Sequence, residues 1–280
     1  MSHLSDDVET REVQGRLATY AYRDFGEESA EPPLVLLHRF RATIDHWDPA
    51  FLDVLASERR VIVFDSAGVG RSTGTTPNTI QGMADAAVDF VGALGLHQVD
   101  LLGWSMGGFV TQAVALDHPD LVRRIVVAGS GPGGVPGNPE RDPRVLKAMT
   151  AETNTEEDFL FLFFGLDSEG RRLGQESLAR LSTRLDVSHA RVKPESWKSQ
   201  LEAIGRWGAG EDAAWERLDQ LTARALVANG AHDVMVHAMN SFAMVQRVRD
   251  SILVLYGDSG HGFLFQHYDE FGRQVLDFLR

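Results

Sequence analysis

Apolar residues in this chain fall in short unbroken runs more often than in alternation. "PLVLLH" (33–38), "RVIVFD" (60–65), "QVDLLGW" (98–104), "VRRIVVAG" (122–129), "RALVANG" (224–230) and "SILVLYG" (251–257) are each bounded by turn-forming residues. Runs without a polar face predict strands inside a sheet that is covered on both sides. "EVQGRLATYAYRDFG" (12–26) alternates instead, which predicts an antiparallel hairpin at one edge. Helical spacing over 80–94 and 109–116 falls between the strand-like runs. The fold class expected is therefore α/β, with a mostly parallel, doubly wound sheet.

One region breaks this rhythm. "GSGPGGVPGNPE" (129–140) is a turn-rich exit from the sheet. It is followed by helical patterns over 143–152, 155–164, 169–185 and 194–207, and by no strand-like run before about 219. Such a block between two strands predicts a helical cap inserted over one end of the sheet. The expected organisation is a core of 1–133 and 219–280, with a cap of 134–218.

The chemistry concentrates at "GWSMGG" (103–108), which places Ser105 between an incoming strand and an outgoing helix. A nucleophile on so sharp a turn stands clear of the backbone. Gly103 and Gly107 suit positions where a larger side chain would collide. A serine hydroxyl is a weak nucleophile and needs a base, itself held in place by a third group. His261 follows the last strand-like run on a Gly-rich loop and is preferred for the base. His267, the competitor, falls in the final helical pattern (263–279). Asp233 ends the "RALVANG" strand in a turn and is preferred as the orienting acid over Asp258, whose "YGDSG" reads as an ordinary turn. The developing oxyanion needs two N–H donors, assigned to the backbones of Met106 and Phe40.

With these residues in view, the chain resembles the α/β-hydrolase superfamily over nearly its whole length. "VFDSAGVGRS" (63–72) is similar to the D-x-x-G-x-G-x-S turn of many members. "GHGFLFQHYDEF" (260–271) resembles their catalytic-histidine segment, and "NGAHDVMV" (229–236) their acid turn. The resemblance implies a Ser105–His261–Asp233 triad, oxyanion donors at Met106 and Phe40, and a helical cap. Ser105 at the elbow sets the chain apart from branches with an aspartate nucleophile. One departure is clear: members usually read His-Gly-x where this chain reads His38-Arg39-Phe40, and glycine there permits angles that arginine reaches only with strain. His38 is expected to hydrogen-bond the loop rather than take part in the reaction.

Sequence adjacency places Trp104, Trp47 and Arg39 at the substrate pocket, and the cap is expected to add Phe163 and Trp207. The run "FLFLFF" (159–164) is too dense for every ring to face one cavity, so most of it is expected to hold cap to core. Arg39 and Arg41 either bind a substrate carboxylate or pair with Asp45 and Asp48.

Acidic residues number 40 against 27 basic, a formal charge of −13, which argues against nucleic acid and anionic membranes as partners. Cysteine is absent, so no disulfide or thiolate metal site is possible, and no apolar run is long enough to span a bilayer. The opening "MSHLSDDVETREVQ" lacks the basic start and apolar centre of a signal peptide, so a cytoplasmic protein is expected. His232-Asp233 and Asp45-His46 are adjacent pairs without zinc-site spacing, and neither a metal nor a cofactor is expected. These features describe a serine hydrolase for a small or medium hydrophobic ester or lactone. Carbon–carbon bond hydrolysis, cofactor-free haloperoxidase or perhydrolase activity, and a non-catalytic ligand receptor are the alternatives.

Overall fold

A computed structural model describes residues 3–165 and 167–280. Leu166, within the span assigned to the cap, and the first two residues of the opening segment lie outside it. The alternating segment and the six apolar runs form the strands of one sheet: β1 (Arg11–Gln14) and β2 (Thr19–Gly26) from the former, and β3 (Leu34–Leu37), β4 (Arg60–Phe64), β5 (Val99–Trp104), β6 (Val122–Ala128), β7 (Arg224–Gly230) and β8 (Ser251–Tyr256) from the latter. Their order is β1-β2-β4-β3-β5-β6-β7-β8. β1 and β2 form the antiparallel edge, and β3 to β8 run parallel. β3, β4 and β5 are buried almost throughout, which is why their sequences carry no polar face.

Helices flank the sheet. α1 (Leu4–Asp7) is one turn; α2 (Pro49–Ala56) follows β3, α3 (Ile80–Ala93) follows β4, and α4 (Met106–Asp117) follows β5. Among the described residues, four α-helices lie between β6 and β7, α5 (Pro143–Thr150), α6 (Glu156–Phe163), α7 (Ser168–Leu185) and α8 (Pro194–Gly208), followed by a 3-10 turn over Trp215–Gln220. α9 (Ala238–Arg247) separates β7 from β8. The final helical pattern is broken in two, as α10 (Phe263–Gln266) and α11 (Tyr268–Leu279), with His267 at the break. The His267 ring stacks on Tyr256 at 4.7 Å and bonds Asp258 at 2.9 Å, so the two competitors for base and acid are engaged with each other. Among the described residues, no helix is long and apolar enough to cross a membrane.

Chain order reverses direction across the sheet at β3: β4 lies on one side of it and β5 on the other. Beyond the carboxyl ends of strands at such a switch point, the connections diverge and leave a crevice. β3 ends in the loop 38–48, and β5 ends at Ser105.

Candidate active site

Ser105 sits between β5 and α4 with φ 58° and ψ −121°, a conformation that costs a non-glycine residue about 1–3 kcal/mol. Its surroundings impose the bend. The Ser105 N–H donates to Ala128 O at 2.9 Å, and the Ser130 hydroxyl donates to Ser105 O at 2.7 Å. A Cβ on Gly103 would collide with the Gly107 carbonyl and Thr111, and one on Gly107 with the Leu37 carbonyl. Both glycines are therefore required by close backbone approach, as the turn chemistry predicts.

His261 and Asp233 meet as a buried pair. Nδ1 of His261 donates to Oδ2 of Asp233 at 2.6 Å, with both side chains fully buried. Oδ1 of Asp233 accepts from the N–H groups of Met235 (2.7 Å) and Val236 (2.8 Å), which fixes the carboxylate before the histidine reaches it. That bond places the imidazole proton on Nδ1 and leaves Nε2 as the free acceptor. Among the described residues, Nε2 is buried without a hydrogen-bond partner, so the expected bond to Ser105 Oγ is not formed. The two residues are nonetheless neighbours: Trp104 Nε1, one residue before the serine, donates to His261 O at 3.1 Å. Gly129, with φ 54°, lies so close that an added Cβ would be 3.2 Å from His261 Nδ1. Unliganded sites often hold such pairs loosely and tighten only around substrate.

The loop 38–48 departs from expectation in a specific way. The strain expected at Arg39 falls on Arg41, whose φ is 54°. Arg41 is held there by the helical insertion: its N–H donates to Gln200 Oε1 at 3.0 Å, and its guanidinium to the carbonyls of Met149, Ala151 and Glu152. Neither Arg39 nor Arg41 pairs with Asp45 or Asp48. Asp45 takes Arg23, Arg71 and Ser188, while Asp48 caps α2 and takes Ser177 and Arg180 of α7. His38 donates to Arg39 O at 3.2 Å, and burial pushes its pKa down to about 4, so it stays neutral within the loop.

A cavity of about 650 Å³ opens above Ser105, lined by Arg39, Phe40 and His46 from the loop and by Met235 beside the acid turn. The insertion supplies its apolar wall: Met149, then Phe159, Leu162 and Phe163, then Leu178, Leu181 and Leu185 on one stripe of α7. The run 159–164 divides by helical face, with Leu160 and Phe164 packed at Gly174 of α7 instead. Of the expected pocket residues, Arg39 and Phe163 reach the cavity, and Trp104, Trp47 and Trp207 do not. Trp104 is buried against Phe163, Phe265 and His261; Trp47 packs on Phe51, Trp104 and Phe265; Trp207 stacks on Phe109 and donates to Gly131 O. Sequence adjacency places Trp104 and Trp47 at the pocket, and the cap Trp207, but strand alternation and helix facing turn all three into the core. The leucine stripe of α7, at i, i+3 and i+7, was the available signal for the residues that sequence reading missed.

The fold and this geometry define the class. The chain belongs to the α/β-hydrolase fold family, whose model matches residues 32–268. Among solved structures, an α/β-hydrolase fold protein from Chitinophaga pinensis superposes with a TM-score of 0.86 at 32% identity, covering 98% of both chains. A protein of Caulobacter sp. (strain K31), named provisionally a carbamate hydrolase, RutD, is 27% identical over 247 residues, 83% of this chain and 85% of its own length. The 2-hydroxymuconate semialdehyde hydrolase of Pseudomonas sp. (strain CF600) is 28% identical over 260 residues, 88% of this chain and 86% of its own. These relatives carry different substrates in their names.

Proposed function

We propose that the protein is a serine hydrolase that cleaves small or medium carboxylic esters or lactones through an acyl-enzyme. Ser105 Oγ attacks the carbonyl carbon while His261 Nε2 takes the hydroxyl proton. Asp233 holds the ring in the tautomer this requires and stabilises the imidazolium. The N–H groups of Met106 and Phe40 receive the oxyanion. Collapse of the tetrahedral intermediate breaks the bond to the alkoxy oxygen, which leaves with the proton from His261. Water, deprotonated by the same nitrogen, then releases the acid and restores Ser105. A lactone follows the same steps and leaves as one hydroxy acid. Helices α5–α8 serve as the cap, whose apolar wall shelters the acyl group from bulk water.

The observation that carries this reading is the buried Asp233–His261 pair beside a strained Ser105 at the floor of a largely apolar cavity. A fluorophosphonate probe should label Ser105, and Ser105→Ala should abolish labelling and reduce p-nitrophenyl ester turnover by at least about 10³-fold. Turnover unchanged in that variant overturns the proposal. Similarity to the semialdehyde hydrolase supports a second reading, carbon–carbon cleavage of a diketone-like substrate. A panel of esters, lactones and vinylogous diketones separates the two by which class gives the highest kcat/KM.

A further inference from the structure

The cavity contains a cation that the fold leaves unused. The guanidinium of Arg39 lies 4.8 Å over the Phe163 ring and 5.5 Å from that of Trp104, inside the same cavity that exposes Ser105. Its one hydrogen bond to protein among the described residues is from Nη1 to Phe40 O, at 2.8 Å. Nε is buried without an acceptor. No carboxylate among the described residues forms an ion pair with it, in a chain carrying 40 acidic side chains. The other arginine of the loop, Arg41, by contrast donates to three carbonyls of the insertion. The carboxylates that line the cavity, Glu152 and Glu156, are exposed side chains, and Glu156 is already bonded to Gln175.

A guanidinium has five N–H donors in a planar fork that matches a carboxylate. A donor buried without an acceptor, as Nε is here, carries a desolvation cost, and the donors left facing the cavity are open to an anion. Stacking on two rings holds the fork in place in advance, so little side-chain freedom is lost when a ligand binds. Burial and the neighbouring Arg41 lower its pKa to about 10, which leaves it charged at neutral pH.

We propose that Arg39 is an anion-binding subsite, and that the natural ligand bears a carboxylate close to the carbonyl presented to Ser105. The inference builds on the hydrolase reading in taking that ligand to be a substrate. The class it selects is a half-ester of a short dicarboxylic acid, or a lactone carrying a free carboxylate. The apolar wall of the insertion then receives the uncharged remainder of the molecule.

Binding is measured by calorimetry in a Ser105→Ala background, where nothing turns over. The probes are monomethyl glutarate and its neutral amide isostere, methyl 4-carbamoylbutanoate. The acid should bind about tenfold or more tighter than the amide, as expected for a hydrogen bond to a charged group. Arg39→Met should erase the preference, and Arg39→Lys, which keeps the charge and loses the fork, should retain part of it. Equal binding of the two probes in the parent, no measurable binding of either, or a preference that survives Arg39→Met would each overturn the proposal. The parent comparison stands even if Arg39→Met fails to fold. Because no step depends on Ser105, absent fluorophosphonate labelling would count against the hydrolase reading alone.

Discussion

The most consequential single bond in the site is the one between Asp233 and His261. Its carboxylate is already committed on the other oxygen to two main-chain N–H groups, so it can turn neither away nor toward solvent. Asp233→Asn keeps the size but replaces the accepting oxygen with a donor or forces the amide to flip against Met235 and Val236. The ring then favours the tautomer with its proton on Nε2, facing the serine. For the ester hydrolysis proposed above, kcat should fall by about 10³–10⁴-fold with little change in melting temperature. Equal losses in kcat and stability would point to a structural role instead. His46 offers a second residue-scale prediction. Burial, and next the charge of Arg39, push its folded pKa from 6.5 to about 3. The unfolded chain binds its proton near 6.5 and the folded protein does not, so its contribution to stability is present above 6.5 and is lost as pH falls toward 3. Asp65 and Asp100, raised to about 6 mainly by burial, act in the opposite sense. The effect must therefore be read as a difference: urea midpoints of parent minus His46→Asn should decline between about pH 7 and about pH 4. A flat difference would refute it.

Between elements, the joints matter more than the elements themselves. α4 begins against the end of β3, where Gly107 touches the Leu37 carbonyl. Gly107→Ala must push the helix off the strand that leads into the loop 38–48, at a cost of about 3 kcal/mol in urea unfolding, with hydrolase activity lost together with stability. The loop 38–48 is the other joint, because its acids bind the insertion: Asp45 reaches Ser188 and Asp48 reaches Ser177 and Arg180. Asp48 is fully buried and also caps α2. Asp48→Ala should cost about 3 kcal/mol, since it removes the cap and strands the Arg180 charge, which can only partly rehydrate. Limited proteolysis should then cut within α7 sooner than in the parent; an unchanged cleavage pattern would mean that the joint is held elsewhere.

Across the whole molecule, a formal charge of −13 is spread over a fold whose cavity at Ser105 is lined by Arg39 and Arg41. Self-repulsion of the surface is screened by salt, whereas buried pairs such as Asp45 with Arg23 are not. Raising ionic strength from about 10 mM to about 150 mM should stabilise the protein by about 1 kcal/mol, or about 2–4 °C in Tm. A fall in Tm would mean that exposed ion pairs outweigh the net repulsion.

The strands were legible because a sheet covered on both faces demands continuous apolar runs, and the elbow because Gly103 is forced by Gly107 and Thr111 a few residues on, whereas Gly107 is forced by the distant Leu37 carbonyl. Ser105 and its strand-to-helix setting are thus local properties that a linear sequence can state. Asp233 was a choice between two turn aspartates, and its place opposite His261 depends on β7 and β8 lying side by side. Pocket membership was the least legible. Trp104, Trp47 and Trp207 are close to the site in sequence or composition, yet strand alternation and helix rotation turn them inward. The leucines of α7, distant in sequence, form the wall. The positive φ moved from Arg39 to Arg41 for the same reason, since carbonyls more than a hundred residues away hold that side chain. What the chain determined by itself was everything set by short-range sterics and hydrophobic periodicity: the α/β class, the order of elements along the chain, and the bend at Ser105. What only tertiary structure decided was which side chains share a cavity and which charges find partners, because those depend on segments brought together through space rather than along the backbone.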